Sequence, residues 1–113
     1  MTRPERTVEP AFDETIHAPH RLRTCVLLAP VESLEFGVLR DALGVADSVL
    51  SKQLKVLVEA GYARLDKPAT GGRIRTWVSL TDTGRRALRG HLAELERMAQ
   101  AATADAPPFA ARG

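Results

Sequence analysis

Apolar residues recur at helical spacing in four stretches of the chain, separated by short polar or glycine-containing segments. The predicted helices cover residues 20–29, 36–43, 47–60 and 81–104. Gly44 and Gly61 are expected to end the second and third helices, because glycine readily adopts the left-handed conformation that follows many helix ends. Thr81 is expected to cap the last helix, with Asp82 in its first turn.

Between the third and fourth predicted helices, the pattern becomes that of a β-hairpin. Residues 62–67 and 75–80 are expected to form its strands, because the second of them is rich in β-branched and aromatic residues. A loop with one proline and two glycines joins the strands, and a very short strand is expected at Leu34. The order of helix, helix, tight turn, helix and hairpin predicts an α+β fold of the winged helix-turn-helix kind, with a C-terminal helix for dimerisation.

The chain divides into four segments by composition and pattern. Residues 1–15 and 105–113 contain prolines among polar or small residues, and they are expected to form a flexible N-terminal segment and a disordered tail. Residues 16–80 are expected to form the winged helix DNA-binding domain, and residues 81–104 the dimerisation helix. A chain of 113 residues has room for one domain with one core.

The third predicted helix carries the first set of candidate DNA-binding residues. In a helix-turn-helix, the second helix of the pair enters the major groove, and here that helix begins at Asp47. If its apolar residues face inward, its outer face presents hydroxyl, amide and ammonium groups that can meet base edges or phosphates. The candidates are Asp47, Ser48, Ser51, Lys52, Gln53 and Lys55. Helices that merely face solvent carry similar residues, so the interpretation depends on the neighbouring hairpin.

The hairpin, or wing, carries the second set of candidates. They are Arg64, Lys67, Arg73 and Arg75. A loop rimmed by arginines can lie along a minor groove or a phosphate backbone, whereas the alternative is that these charges only make the loop soluble. The formal net charge of +2 is small, so the distribution of the basic residues says more than their total.

The last predicted helix carries an apolar seam whose members are four and three residues apart in turn. With one residue from the first helix, this seam supplies the candidate dimerisation residues, which are Leu22, Leu88, Leu92, Leu95 and Ala99. A single module of this size contacts little DNA, so pairing on a two-fold symmetric site is an economical route to specificity. A homodimer is therefore expected.

Several short blocks resemble the winged helix regulators of the MarR and ArsR-like superfamily. These blocks are Gly44-Val45, Leu50-Ser51 with Leu54 and Leu57, Glu59-Ala60-Gly61-Tyr62, Arg75-Thr76, and Leu80-Thr81-Asp82-Thr83-Gly84-Arg85. Arg21-Leu22-Arg23 adds a likeness to a compact subgroup whose first helix carries an Arg-Leu-Arg motif, and the resemblance covers about residues 18–97. It implies a dimeric bacterial or archaeal transcription factor with a recognition helix at 47–60 and a wing at 65–77. Gln53 and Ala46 depart from the pattern, where His or Arg and a capping Ser or Thr are common.

The sequence favours no other class of chemistry. Cys25 is the one cysteine, which excludes a disulfide framework and a cysteine-based zinc cluster, and it is expected to pack in the core. His17, His20 and His91 lack a clear metal-ligand spacing, so neither a metal nor a cofactor is expected. There is no nucleophile elbow and no glycine-rich phosphate loop, so no catalytic residue and no enzymatic activity are expected. Without a signal segment or a long apolar run, the chain is expected to be cytoplasmic and without a membrane partner.

The sequence therefore predicts a transcriptional regulator that binds double-stranded DNA sequence-specifically, as a homodimeric repressor on a palindromic operator. One alternative is a winged helix protein-interaction or architectural module without a specific DNA site. Ion pairs between the wing arginines and Asp66, Asp82 or Glu59 would favour that alternative. Another is a regulator with a small-molecule effector bound at the dimer interface.

Overall fold

The computed structural model describes residues 8–70 and 73–105, and the backbone alone for residues 69, 70 and 73. Its helices are α1 Glu14–His17, α2 Pro19–Leu28, α3 Phe36–Leu43, α4 Asp47–Glu59 and α5 Asp82–Thr103. Its strands are β1 Leu34–Glu35, β2 Ala63–Asp66, β3 Ala69–Thr70, β4 Arg73–Ile74 and β5 Trp77–Leu80. The predicted α+β winged helix fold is confirmed. Among the residues that the structure describes, no helix is long and apolar enough to cross a membrane.

The main sheet has three antiparallel strands in the order β1-β5-β2. Val78 in the central strand faces Leu34 on one side and Leu65 on the other. The short strands β3 and β4 pair with each other beyond the ends of β2 and β5, with Ala69 opposite Ile74. The hairpin is therefore a narrow arm that extends from a small sheet anchored by β1, and the predicted strand at Leu34 is confirmed.

One apolar core holds the helices and the sheet together. Every helix contributes to it, and its most buried members include Ile16, Leu28, Leu39, Leu50, Leu57, Val78 and Leu88. Leu88 was a candidate for the dimer interface, but it is only 3% exposed, because the first half of α5 packs against the globule. Its side chain belongs to the core and is not available to a partner.

The predicted helix ends agree closely with the structure. Gly44 and Gly61 follow α3 and α4 with φ of 70° and 80°, in the left-handed region that glycine alone adopts without strain. Thr81 caps α5 by accepting a hydrogen bond from the Gly84 N–H at 2.9 Å. Ala46 precedes α4 without a side-chain cap, as its residue type requires.

The N-terminal segment differs from the prediction. Residues 1–7 lie outside the described part of the chain, but residues 9–13 pack along α5, and the Ala11 N–H donates to the Gly90 carbonyl at 2.9 Å. This approach is close because Gly90 has no side chain; a Cβ there would lie 3.2 Å from the Glu9 carbonyl oxygen. Asp13 then caps α1, a helix that was not predicted because its four residues are too few for a periodic pattern. The predicted tail also lies mostly outside the described residues.

A tight joint connects the end of α4 to the start of α5. The Thr81 N–H donates to the Tyr62 carbonyl at 3.0 Å, and the Thr81 hydroxyl donates to the Gly61 carbonyl at 2.6 Å. The Tyr62 carbonyl lies directly over Gly84, where a Cβ would come within 2.1 Å of the oxygen. This contact brings the Gly61-Tyr62 pair against the Leu-Thr-Asp-Thr-Gly run.

Candidate nucleic-acid interface

The outer face of α4 is polar and cationic. Ser48, Ser51, Lys52 and Lys55 are all exposed, while Leu50, Leu54 and Leu57 lie on the opposite side in the core. Within the described residues, neither lysine has a carboxylate within 4 Å. The predicted outward set is therefore brought together on one surface, with its ammonium groups available to an external anion.

Asp47 and Gln53, the two other candidates on α4, bind within the protein. Asp47 accepts a hydrogen bond at 2.8 Å from Arg40 on α3, whose guanidinium also binds Asp41. Gln53 is half-buried on the flank that faces α2, and its amide oxygen accepts a hydrogen bond at 2.8 Å from Arg21. Both contacts fix α4 against a neighbouring helix.

The Arg-Leu-Arg run of α2 holds the helix-turn-helix in place. Arg21 reaches Gln53 on α4 and also donates from Nε to the carbonyl of Thr15 on α1. Arg23 donates to the carbonyls of Leu43 and Ala42, which are among the unpaired groups at the end of α3. From the sequence, Arg21-Leu22-Arg23 indicated only a family likeness, and nothing in the spacing of residues indicated these partners.

The wing lies beside α4 and carries basic residues. Arg64 and Lys67 are exposed on β2 and just after it. Arg75 is also exposed, at 3.6 Å from the carboxylate of Glu35 on β1, and the side chain of Arg73 lies outside the described part. None of the described ion pairs joins a wing arginine to Asp66, Asp82 or Glu59, the arrangement that would have favoured a protein-interaction module.

A groove of about 510 Å³ runs between α4 and the wing. Leu54, Val58 and Leu65 give it an apolar floor, and Lys55 and Lys67 line it from the two sides. The carboxylates Asp47 and Glu59 also line it. A negatively charged strand of nucleic-acid backbone placed there would meet ammonium groups from both the helix and the wing.

The second half of α5 extends beyond the globule with an apolar face. Leu92 is 41% exposed and Met98 is 47% exposed, Leu95 lies between them, and Ala99 follows Met98. This outer face of α5 (Leu92, Leu95, Met98 and Ala99) continues the line of Leu88 and His91, which the first half of the helix buries. Leu22, by contrast, is half-buried against the core of its own chain. Met98 lies outside the 4-3 seam and was not among the predicted residues.

Cys25 is fully buried, and burial raises the pKa of its thiol to about 12. The thiol is therefore protonated and unreactive at neutral pH, as a packing role requires. Among the described residues there is no group of three or more His, Cys, Asp or Glu side chains that could hold a metal ion.

Known proteins that resemble this chain are winged helix proteins. A family model described as "Winged helix DNA-binding domain" matches residues 20–99. An uncharacterized protein of Methanocaldococcus jannaschii is 30% identical over 80 residues, which cover 71% of this chain and 87% of that protein.

Solved structures with a similar fold include a transcriptional regulator homologue from Pyrococcus horikoshii OT3. Its TM-score is 0.75 at 23% identity, over 80% of this chain and 89% of that chain. The S. aureus MepR–DNA complex has a TM-score of 0.65 at 16% identity, over 79% of this chain and 73% of that chain. At these identities, both likenesses are likenesses of fold.

Proposed function

The chain belongs to the winged helix DNA-binding domain family, and we propose that it is a transcriptional regulator that binds double-stranded DNA as a homodimer. One observation carries the proposal: Ser51, Lys52 and Lys55 face outward on α4 beside a basic wing. The opposite side of α4 is fixed by the core, and Gln53 and Asp47 hold the helix to α2 and α3. A rigid helix with a free cationic face fits a major groove.

Except for Arg73, whose side chain lies outside the described residues, the proposed roles follow from where each side chain lies. Lys52 and Lys55 bind phosphates, and Ser48 and Ser51 reach base edges or phosphates near the start of α4. Arg64, Lys67, Arg73 and Arg75 follow the backbone or the minor groove beside the wing. Asp47 and Gln53 hold α4 in position, so sequence preference depends on them indirectly.

A second copy would bind through the outer face of α5. Two-fold pairing would place two α4 helices in successive major grooves, about 34 Å apart. The proposed target is therefore a palindromic operator, and the proposed mode is repression by occupying it in the cytoplasm. We place any small-molecule effector between the two copies, because a chain of this length has little interior for a pocket of its own.

Lys52→Ala tests the proposed phosphate contact. We expect the affinity to fall roughly fivefold at low salt on every DNA sequence. The slope of log affinity against log salt should lessen by about 0.9, because one fewer counterion is released. Fluorescence anisotropy on duplex DNA across salt concentrations measures both quantities.

Arg97→Ala is the matched control, because it removes the same charge from α5, where Arg97 binds Glu94. Its affinity and salt slope should equal those of the unmodified protein. An unchanged affinity and slope in Lys52→Ala would remove Lys52 from the interface.

A further inference from the structure

A pair of histidines, the buried His91 and the exposed His17, joins the N-terminal segment to α5. His91 is fully buried, and its Nδ1 accepts a hydrogen bond from the Asp13 N–H at 2.9 Å. Its Nε2 lies 3.0 Å from Nδ1 of His17, which is the last residue of α1. The ring of Phe12 packs against both imidazoles at a centroid distance of 4.7 Å. The pair has no part in the proposed DNA contacts.

The hydrogen bonds fix the protonation state of both rings. Since Nδ1 of His91 accepts a hydrogen bond, the hydrogen of a neutral ring must lie on Nε2. That Nε2–H then donates to His17, whose Nδ1 must carry no hydrogen. A proton added to His91 would face the Asp13 N–H, and one added to Nδ1 of His17 would face the Nε2–H of His91. The arrangement therefore requires both imidazoles to be neutral.

Several titratable or charged groups surround the pair. Asp13 and His17 act electrostatically on His91, and Tyr62 is hydrogen-bonded to the Asp13 carboxylate. The Asp13 carboxylate accepts hydrogen bonds from the Ile16 N–H and, at 2.6 Å, from the Tyr62 hydroxyl. Burial is the main cause that lowers the pKa of His91 below its ordinary value of 6.5, and the nearby His17 lowers the pKa further. The negative charge of Asp13 raises it.

The segment that this pair holds also contacts α4. Thr15 of α1 accepts a hydrogen bond from Arg21, and the same guanidinium holds Gln53 on α4. Asp13 holds Tyr62, which follows α4 directly. A displacement of α1 from α5 would thus loosen two of the contacts that position α4.

We propose that His17 and His91 form a proton-operated lock, in which the neutral pair keeps α1 docked on α5 and α4 in its binding position, and protonation releases both. The effect on DNA binding rests on the function proposed above. The lock itself does not, because it can be observed in the free protein.

The expected change of DNA affinity with pH is opposite to the one that added positive charge alone would cause. Protonating exposed histidines adds positive charge, which alone would strengthen binding to DNA as the pH falls. The lock instead weakens binding in acid. The folded protein should also lose stability as the pH falls below about 6.5, because the unfolded chain takes up the proton more readily than the folded one.

The test combines two measurements on the full chain between pH 7.5 and 5.5 at constant ionic strength. Anisotropy gives the affinity for duplex DNA, and nitrogen-15 NMR gives the tautomer of each histidine and the amide signals of residues 9–17. We expect His91 to carry its hydrogen on Nε2 at pH 7.5. The amide signals of residues 9–17 should shift together with titration of the pair, and the affinity should fall about tenfold.

Two variants separate the lock from a general effect of acid. His17→Asn keeps an acceptor oxygen opposite His91 and removes one of the two imidazoles that can take a proton. It should bind DNA at pH 7.5, and its affinity should fall less at pH 5.5 than that of the unmodified protein. His20→Asn removes a histidine outside the pair and should follow the unmodified protein.

Equal pH profiles for all three proteins, or an affinity that rises in acid, would overturn the proposal. So would titration of the pair without movement of residues 9–17. If no DNA is bound at any pH while the pair and the segment still titrate together, the lock stands and the proposed function fails.

Discussion

Gly84→Ala is expected to prevent stable folding or to lower the free energy of unfolding by about 3 kcal/mol or more. The added Cβ would lie 2.1 Å from the carbonyl oxygen of Tyr62 and 2.9 Å from its carbon. These are backbone atoms, and Tyr62 is also held by its hydrogen bonds from Thr81 and to Asp13. The clash can be relieved only by moving α5 away from the end of α4, which would break the joint. Urea unfolding followed by circular dichroism measures the change.

Gly37→Ala is the matched control for this substitution. Gly37 lies in the first turn of α3, and a Cβ there would meet only the flexible guanidinium of Arg40, at 3.5 Å. Alanine favours helix over glycine by up to about 1 kcal/mol, so this variant should be as stable as the unmodified protein or more stable. Equal stability of Gly84→Ala and the unmodified protein would contradict the account of the joint.

The double substitution Leu92→Glu with Met98→Glu is expected to produce a folded monomer that binds an operator at least about 100-fold more weakly. Both side chains are close to half exposed in the single chain, so charges there should leave its fold intact. In a dimer, the same carboxylates would be buried in an apolar contact without partners. Two linked half-sites bind much more tightly than one, so loss of the dimer should appear mainly as loss of affinity.

Light scattering after size exclusion measures the mass, which should fall from twice the chain mass of 12.3 kDa to that of one chain. Gln100→Glu is the control, because it adds a carboxylate to the part of α5 that turns away from the apolar face. It should remain dimeric. If the unmodified protein is already monomeric at working concentration and still binds tightly, the outer face of α5 has another use.

The elements with strong local signals could be predicted from the sequence. The bounds of α3 are those predicted, because Gly44 provides a clear end and Phe36, Leu39 and Leu43 share one face. The likeness to winged helix regulators was correctly recognised, and two of the blocks that carry it, Glu59-Ala60-Gly61-Tyr62 and the run from Leu80 to Arg85, form the joint between α4 and α5. This joint requires particular residue types, such as glycine at position 84, so it is visible in the sequence.

The parts that escaped prediction depend on contacts between distant residues. Helix α1 is too short for a pattern, and its docking depends on Gly90 and His91, almost 80 positions further along the chain. The apolar pattern of α4 allows Gln53 to lie either on the outer face or on the flank of the helix. Its hydrogen bond from Arg21 places it on the flank, and that contact could not be predicted from the sequence. Leu88 was predicted to lie in the dimer interface but is buried in the core. The regular apolar seam of the last helix does not show at which residue the helix leaves the core of its own chain.

Recognition of a specific duplex by α4 and the wing can be tested by comparing two DNA molecules. Anisotropy titrations would compare the DNA upstream of the protein's own gene with a scrambled duplex of the same composition across a range of salt concentrations. The account predicts tight binding to the upstream DNA, affinity lower by at least about 1,000-fold for the scrambled duplex, and a steep fall of both with salt. Equal weak binding to the two duplexes would contradict sequence-specific recognition, and no binding to either at low salt would contradict a DNA-binding function.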